Sequence, residues 1–246
     1  MSRQPGKALG QEQPLAPPRP SWVRRSLHGW LSSGTRKALR NLASEWHASR
    51  LHRRGVRYAR RYRGQKGLKL HLGCGPVLKP GWVNIDMQPG TDLTLDLREP
   101  LPFADGSCAV VYSEHFLEHL DYPKAALQFL FEVHRVLQPG GTISLVVPDV
   151  DYAIDTCRQP ETPEWFEHAR KHWAYPAWCQ TRIEFLNYVF HQKGHHRFAY
   201  DFETLAKVLG QAGFVNAVKR EFDPALDSET RRIGSLYVSA SSARVG

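Results

Sequence analysis

Five short apolar runs, separated by turn signals, constrain the fold of this chain more than any other feature. Each run is too short for a helix of ordinary length and is bounded by Gly, Pro, Asn, Asp or Ser. Such runs predict strands that are buried on both faces, as in a mostly parallel sheet with helices on both sides. The runs are LKLHL (68–72), WVNID (82–86), DLTLDL (92–97), CAVVYS (108–113) and TISLVVPD (142–149).

Two helical patterns accompany these runs. After Pro123, apolar residues at helical spacing predict one helix, which the turn Pro139-Gly140-Gly141 ends. Asp201 predicts the cap of a later helix that Gly213 ends, and FVNAVKREF and GSLYVSA predict two closing strands. We therefore predict an α/β fold. The buried stripe of the first helix is predicted to be Ala126, Phe129, Leu130, Val133 and Leu137.

The positive charge of the chain is concentrated at its N-terminal end. Residues 1–70 hold 17 Lys and Arg against two acids, whereas the remainder holds 16 against 22. Proline-rich polar composition predicts a tail without packed structure over 1–21, and helical spacing predicts a basic amphipathic helical extension over 22–66. Three partners stay open for this extension: an anionic membrane surface, nucleic acid, or the folded body of the protein.

The cysteines and histidines do not show the spacing of a metal site. Cys74, Cys108, Cys157 and Cys179 form no CxxC pair, and the five histidines between 151 and 200 are loosely spaced. No metal is therefore predicted. Free thiols are typical of a reducing compartment, and no apolar run is long enough to span a bilayer. We expect a cytoplasmic protein, peripheral at the membrane if the basic extension binds lipid.

A pair of glycines ends the first predicted strand. Gly73, Cys74 and Gly75 follow LKLHL, and glycine lets the backbone approach a ligand closely and take a positive φ. Exposed amides in such a turn can bind an anionic group. A dinucleotide fingerprint would need a third glycine, but Leu78 stands at that position. Taken alone, the turn predicts either a ligand cradle or a tight turn.

Polar residues stand at the ends of the next strands. The second run ends at Asp86, where nucleotide-binding sheets place the acid that binds a ribose. The third ends at Asp96, and the fourth ends at Ser113 and Glu114. Because the carboxyl ends of parallel strands share one edge of a sheet, these groups are expected around one nucleoside-like ligand.

Taken together, the motifs resemble the class I S-adenosylmethionine-dependent methyltransferases, in particular a subgroup of small bacterial enzymes with a shortened first crossover. The segments LHLGCG, WVNID, LPFADGSCAVVYSEHFLEHL and EVHRVLQPGGTISLVVPD carry the resemblance over residues 67–150. It implies a Rossmann-like fold, a methyltransferase domain over 67–246 and S-adenosylmethionine as the cofactor. His71 and Val77 depart from the family pattern, which usually has an acid and a glycine at these positions.

The resemblance also implies which residues bind the cofactor. Gly73, Cys74 and Gly75 would lie under its methionine moiety. Asp86 would bind the ribose hydroxyls, and Met87 would pack on the adenine. These residues come from the ends of the first two strands, so they are expected on one side of the site.

The third and fourth strands supply the remaining cofactor residues that the resemblance implies. Asp96 would accept a hydrogen bond from the adenine amino group or support that loop, with Leu97 beside it. Ser113 and Glu114 would flank the sulfonium.

Candidate catalytic groups follow the fourth and fifth strands. In-line methyl transfer mainly requires that the acceptor atom is well placed. When the acceptor is a hydroxyl group, a general base increases the rate by about 10²- to 10⁴-fold. His115 stands nearest the strand end and is the predicted base. Glu118 and His119 either join it or brace the loop, and Asp149 either faces the acceptor or caps a helix.

The segment 151–200 is predicted to be a helical insert that covers the acceptor site. His196, in GHHRFAY, is the third candidate catalytic residue. The other aromatic and histidine residues either line the acceptor pocket or form the core and surface of the insert. They are Trp165, Phe166, His168, His172, Trp173, Tyr175, Trp178, His191 and His195.

The predicted function is methyl transfer to O or N of a small molecule or a glycan. A glycan is included because enzymes of the resembled subgroup are suspected of roles in cell-surface polysaccharide assembly. Two alternatives stay open. One is an RNA methyltransferase, although the chain lacks the Asn/Asp-Pro-Pro-Tyr/Phe and Pro-Cys motifs of nucleic-acid methylases. The other is a binding module with a nucleotide fold and no catalysis.

Overall fold

The computed structural model describes residues 31–158, 167, 170–171 and 175–243. The predicted tail over 1–21 and the start of the extension lie outside these residues. The chain divides into two compact units, Met1–Trp46 and His47–Gly246. Within the described ranges, no helix combines the length and the apolar character needed to cross a membrane.

A single long helix, α1 (Ser33–Tyr58), begins in the first unit and ends in the second. Ser32 caps its start, where the Thr35 amide donates to Ser32 Oγ at 3.1 Å. Within the predicted basic extension over 22–66, the described helix occupies Ser33–Tyr58. The boundary between the two units falls inside this helix. The domain boundary between residues 66 and 67 stays a prediction.

The second unit is built on one seven-stranded sheet. Its strands are β1 (Leu68–Leu72), β2 (Val83–Asp86), β3 (Leu93–Thr94), β4 (Cys108–Glu114), β5 (Leu137–Pro148), β6 (Phe214–Lys219) and β7 (Ser235–Ser242). Their order is β3-β2-β1-β4-β5-β7-β6. β1 to β5 run parallel, and β7 pairs antiparallel with both β5 and β6. The predicted Rossmann-like, mostly parallel sheet is confirmed.

Helices flank the sheet as predicted. Besides α1, the described residues contain α2 (Lys124–Val136), α3 (Val150–Arg158), α4 (Arg182–His191) and α5 (Phe202–Gln211). The predicted stripe of α2 is buried, although its last member, Leu137, already belongs to β5. Full burial of each such apolar side chain stabilises the fold by about 1.5–3 kcal/mol. Asp201 caps α5 by accepting from the Thr204 amide at 2.8 Å.

The third and fifth strands differ in length from the predicted runs. β3 is paired only over Leu93–Thr94 because it is an edge strand and its single neighbour, β2, is four residues long. β5 starts at Leu137, so the turn predicted to end α2 lies within the strand.

The register of the parallel strands positions the site. Leu72 of β1 pairs with Ile85 of β2 and with Ser113 of β4. The strand order reverses direction between β1 and β4, which is the topological switch point where open α/β sheets bind ligands. The residues that follow these three strands therefore lie at one edge of the sheet.

Residues 73–82, between β1 and β2, contain turns and no helix. This confirms the shortened first crossover.

At the neighbouring edge of the sheet, the C-terminal half of α1 lies very close to the backbone of β3. A Cβ atom on Gly55 would be 2.1 Å from the Thr94 carbonyl oxygen and 2.7 Å from Leu95 Cδ2. Glycine at this position is therefore required by the approach of α1 to the sheet.

We expect Gly55→Ala to destabilise the protein by about 1–3 kcal/mol, because the added methyl group overlaps a backbone carbonyl that cannot move freely. Gly210→Ala is the matched control. Gly210 is an exposed residue of α5 with open space around its Cα, so alanine there should be neutral or stabilise by up to about 1 kcal/mol. Urea unfolding followed by circular dichroism measures the free energy of unfolding of both variants. Equal effects of the two substitutions would contradict the close packing of α1.

Candidate active site

The two glycines that end β1 differ in what surrounds them. Gly73 and Cys74 donate their amides to the Ile85 carbonyl at 2.9 and 3.2 Å. Gly73 has a φ of +68°, and a Cβ there would lie 2.8 Å from the Phe116 side chain. Gly75 has a φ of +51°, and a Cβ there would meet no atom of the described residues within 4 Å. Gly73 thus permits packing on Phe116, whereas Gly75 opens a cradle toward solvent.

Asp86 joins the ends of β1 and β2. Its Oδ2 accepts the Gly75 amide at 2.9 Å, and its Oδ1 accepts the Gln88 amide at 2.9 Å. Met87 follows and is half-buried. The carboxylate keeps further acceptor lone pairs, so it can hold the loop and a ligand hydroxyl together.

Asp96 is engaged by a neighbour from its own loop. The Arg98 guanidinium binds both carboxylate oxygens, with Nε–Oδ1 at 3.0 Å and Nη2–Oδ2 at 2.7 Å. Burial alone would raise the pKa of Asp96, but the hydrogen bonds from Arg98 outweigh it and lower that pKa. The His52 ring nitrogen Nδ1 lies 3.3 Å from the Asp96 amide, and Leu97 is buried in the core. Asp96 thus holds its own loop through Arg98, and its hydrogen bond to the adenine amino group stays a prediction.

His71, which replaces the usual acid, is a buried neutral side chain. Burial, assisted by the charge of Lys79, lowers its pKa to about 4. Its Nδ1 lies 3.3 Å from Asn84 Oδ1, which also accepts the Lys79 amide at 2.8 Å. Asn84 Nδ2 donates to Asp92 Oδ2 at 2.9 Å. His71 therefore takes part in a polar network that fixes the short crossover, and it brings no charge to the site.

The end of β4 is held by a segment that the sequence reasoning missed. Glu114 Oε2 accepts from Ser228 Oγ at 2.6 Å, and its Oε1 accepts from the Ser228 amide at 3.1 Å. Arg231 donates to the Glu114 carbonyl at 3.1 Å. Beside Glu114, the Ser113 hydroxyl is buried with no hydrogen-bond partner in the described residues.

The missed segment is residues 220–234, between β6 and β7. Asp227 is buried at its centre and accepts from Arg220 at 2.6 Å and from Tyr112 at 3.0 Å. Lys79 donates to the Leu226 carbonyl, so the segment also reaches the first crossover. Its length was a signal, because a connection this long between adjacent antiparallel strands exceeds an ordinary hairpin loop.

A cavity of about 290 Å³ lies on the β4–β5 side of the sheet edge. All three predicted catalytic residues, His115, Asp149 and His196, line it. Aromatic side chains of the insert form much of the remaining wall, and Arg231 also contributes to it. None of the nine residues predicted to bind the cofactor lines this cavity. The aromatic residues are Tyr152, Tyr175, Phe185 and Tyr188.

His115 has a backbone conformation that is unusual for a residue with a side chain. Its φ is +53°, and its amide donates to the Val146 carbonyl at 2.8 Å. The ring Nε2 lies 2.9 Å from Ser235 Oγ. Burial, and then the charge of Arg231, hold the pKa of His115 well below its usual value. A neutral imidazole at this place is able to accept a proton.

Asp149 and His196 occupy opposite ends of the insert. Asp149 Oδ1 accepts the Asp151 amide at 3.0 Å and so caps α3, while burial raises the pKa of its carboxyl group. His196 Nδ1 donates to the Val189 carbonyl at 2.6 Å, and burial lowers its pKa to about 4. Asp149 also pairs with Tyr200 in an isolated bridge that closes the base of the insert.

The remaining insert residues fall into three groups. Trp165, Phe166, His168, His172 and Trp173 lie outside the described residues. Tyr175 packs with Phe185 in a small core of the insert. Trp178, His191 and His195 are exposed.

The geometry fits the cofactor that the sequence implies. Gly75 presents an open cradle, and Asp86 presents a carboxylate beside it. The Ser113 hydroxyl, which has no hydrogen-bond partner among the described residues, lies at the end of the adjacent central strand. A nucleoside ligand needs such a combination of close backbone approach and a carboxylate acceptor.

Residues 70–145 match the family model described as a methyltransferase domain. The match runs from β1 into β5 and therefore covers the strand ends described above. It confirms the resemblance to class I S-adenosylmethionine-dependent methyltransferases, the enzyme class and the cofactor. No curated protein matches the sequence.

Several solved structures align with this chain at low identity. A methyltransferase from Mesorhizobium loti is 20% identical, with a TM-score of 0.45 and coverage of 72% of this chain and 91% of that one. The Burkholderia thailandensis 1,6-didemethyltoxoflavin-N1-methyltransferase is 14% identical, with a TM-score of 0.42 and coverage of 95% and 93%. CurJ carbon methyltransferase is 14% identical, with a TM-score of 0.41 and coverage of 75% of this chain. The match spans only 51% of the CurJ domain's length.

We expect Gly75→Ala to weaken binding of S-adenosylmethionine at least tenfold, about 1.4 kcal/mol, because its Cβ would project into the open cradle. Gly64→Ala is the matched control, since Gly64 also has a positive φ, +75°, and open space around it. Both substitutions should cost about 1–2 kcal/mol of stability through backbone strain. Calorimetric titration with S-adenosylmethionine measures the affinity of each variant, which should fall in Gly75→Ala and stay unchanged in Gly64→Ala. Unchanged affinity in Gly75→Ala would remove Gly75 from the cofactor site.

Proposed function

We propose that this protein transfers a methyl group from S-adenosylmethionine to an oxygen or nitrogen atom of a small molecule or a single glycan residue. The observation that carries the proposal is the cavity that gathers His115, Asp149 and His196 at the strand ends. Its volume of about 290 Å³ is at the lower end of the range for small-molecule sites, which favours a compact acceptor.

The residues of this chain would divide between two sides of the sheet edge. Gly73, Cys74 and Gly75 would hold the methionine part of the cofactor, and Asp86 and Met87 its nucleoside. When bound, the cofactor supplies an electrophilic methyl group on a sulfonium. The division is supported by the separation between the cradle at β1–β2 and the cavity at β4–β5.

The end of the third strand and the end of β4 would complete the cofactor side. Asp96 and Leu97 would support the loop beside the adenine. Ser113 would offer its unpartnered hydroxyl, while the carboxylate of Glu114 would act by holding Ser228 in place.

On the acceptor side, His115 would take the proton from the acceptor atom. Its neutral ring faces the cavity, and its contact with Ser235 orients the imidazole. His196 and Asp149 would position the acceptor from the two ends of the insert. The aromatic wall would exclude water and stack against the apolar face of an acceptor.

We expect His115→Asn to lower turnover by about 10²- to 10⁴-fold on a hydroxyl acceptor, because it removes the base. Asparagine tolerates a positive φ better than most residues, so the backbone and cofactor binding should be preserved. His195→Asn, an exposed histidine outside the cavity, is the control and should keep full turnover. The assay measures transfer of labelled methyl groups to a panel of small-molecule, glycan and RNA acceptors.

Each contrary result has a distinct meaning. Turnover that depends on RNA would favour the first alternative function. Cofactor binding without turnover on any acceptor would favour the non-catalytic module. Full activity of His115→Asn would remove His115 as the base and leave the methyltransferase assignment in place.

We further propose that the basic extension over 22–66 binds an anionic membrane surface, making the cytoplasmic enzyme peripheral. The described part of α1 supports this, because Leu39, Leu42 and Trp46 are exposed on a helix rich in Arg and Lys. Apolar side chains at the interface combined with cations against anionic headgroups favour such binding. Nucleic acid is the competing partner, because its phosphate backbone is also anionic.

We expect the full chain to sediment with vesicles that contain phosphatidylserine and much less with neutral vesicles. The double substitution Leu39→Ala and Leu42→Ala should remove most of the sedimentation, because about 0.8 kcal/mol is lost per buried CH₂ and the two substitutions together delete six carbon atoms. Phe131→Ala, at an exposed apolar position of α2, is the control. Equal sedimentation with both vesicle types would contradict membrane binding.

A further inference from the structure

A second cluster of polar side chains lies beside the cavity. Glu118 and His119 belong to the short 3₁₀ turn Leu117–His119 that follows β4, and His196 comes from the end of the insert. One potential ligand atom from each of these three residues lies within 4.8 Å of the others. Residues distant in sequence are therefore brought together in the arrangement of a metal site.

Glu118 is the unusual member of the cluster. Its side chain is 1% exposed, and neither carboxylate oxygen has a hydrogen-bond partner within the described part of the chain. The nearest ring nitrogens, His115 Nδ1 and His119 Nε2, lie 3.6 and 4.0 Å from Oε1. A buried carboxylate without donors is costly unless it is protonated or a cation compensates it. Burial accordingly raises the pKa of Glu118 to about 8.

The two histidines are already in the tautomer that metal binding requires. His119 Nδ1 lies 3.0 Å from the His195 carbonyl oxygen, and His196 Nδ1 lies 2.6 Å from the Val189 carbonyl oxygen. A carbonyl oxygen only accepts, so each Nδ1 carries the proton and each Nε2 keeps its lone pair. Metal-bound histidines are oriented by this same type of hydrogen bond.

We propose that Glu118, His119 and His196 bind a divalent transition-metal ion of the zinc class. Two imidazole nitrogens and one carboxylate oxygen form a donor set that suits Zn²⁺ and its neighbours, with positions left for water. Bonds of about 2.0–2.2 Å would require the three side chains to close by roughly an ångström. The ring of His119 is 36% exposed, which gives the ion a path from solvent.

The metal would tie the insert to the turn after β4. These two segments already meet through their backbones, since the amides of Arg197 and Phe198 both donate to the Glu118 carbonyl, at 2.7 and 3.3 Å. His196 lines the cavity, so the ion would fix one wall of it. As a metal ligand, His196 would position the acceptor through this fixed wall, and that role is separate from the one proposed for His115.

The experiment uses the full chain without a polyhistidine tag, stripped of metal with a chelator and then titrated with Zn²⁺ and Co²⁺. We expect one equivalent to bind by native mass spectrometry and calorimetry, with a visible Co²⁺ spectrum of nitrogen and oxygen ligands. Glu118→Gln and His196→Gln should each lower affinity at least about 100-fold, since even changes in supporting residues cost 10- to 100-fold. His195→Gln, the exposed neighbour, should bind like wild type.

Thermal unfolding provides the second readout. Zn²⁺ should raise the melting temperature of wild type and of His195→Gln, and should not raise that of Glu118→Gln. Without metal, Glu118→Gln should be at least as stable as wild type, because it removes an uncompensated buried carboxyl group. Absence of stoichiometric binding to the wild-type chain would overturn the proposal whether or not the variants fold. Binding that survives both ligand substitutions would overturn it too.

Discussion

The hydrogen bond from the Gly75 amide to the Asp86 carboxylate is the contact on which the site depends. It joins the ends of two parallel strands that are connected without a helix, in a crossover of ten residues. In a longer crossover, the helix would cover this face of the sheet and its N-terminus would supply amides to a ligand. Here the crossover is held in place by hydrogen bonds of Asp86, Asn84 and Asp92. The β3 edge is covered by α1, whose close approach is allowed by Gly55.

The connection between β6 and β7 completes the site from the opposite direction. Its buried Asp227 is held by Arg220 and Tyr112, and its Ser228 binds Glu114 at the end of β4. Such charge-assisted hydrogen bonds inside a protein are stronger than neutral ones and also set a unique geometry. The long segment thereby becomes a fixed wall, and Arg231 faces the cavity from it.

Burial controls the charge of the titratable groups in and beside the cavity. His115 and His196 have lowered pKa values and are neutral, while Glu118 has a raised pKa. Neutral imidazoles suit proton acceptance and metal binding, because both use the nitrogen lone pair. We propose that the two uses are divided between His115, which contacts Ser235, and the pair His119 and His196, whose Nδ1 atoms are held by carbonyl oxygens.

Local pattern was sufficient to predict most elements of the fold. β1, β2, β4, α2 and α5 begin and end near the predicted residues, because strand burial, helical periodicity and the Asp201 cap are all encoded within a few neighbouring positions. The juxtaposition of Gly75 with Asp86 was also predictable, since parallel strands bring their carboxyl ends to one edge.

What only the tertiary structure decided is which side chains meet across long stretches of chain. No periodicity relates Glu114 to Ser228, or Glu118 and His119 to His196, so their contacts could not be deduced from spacing. Asp149 caps a helix and also lines the cavity, a combination that the sequence left as two alternatives. The sequence by itself determined a nucleotide-type sheet edge and its cofactor. The cavity at β4–β5 and the Glu118 cluster arose only when the insert and the β6–β7 connection packed against that edge, because their partners lie far apart along the chain.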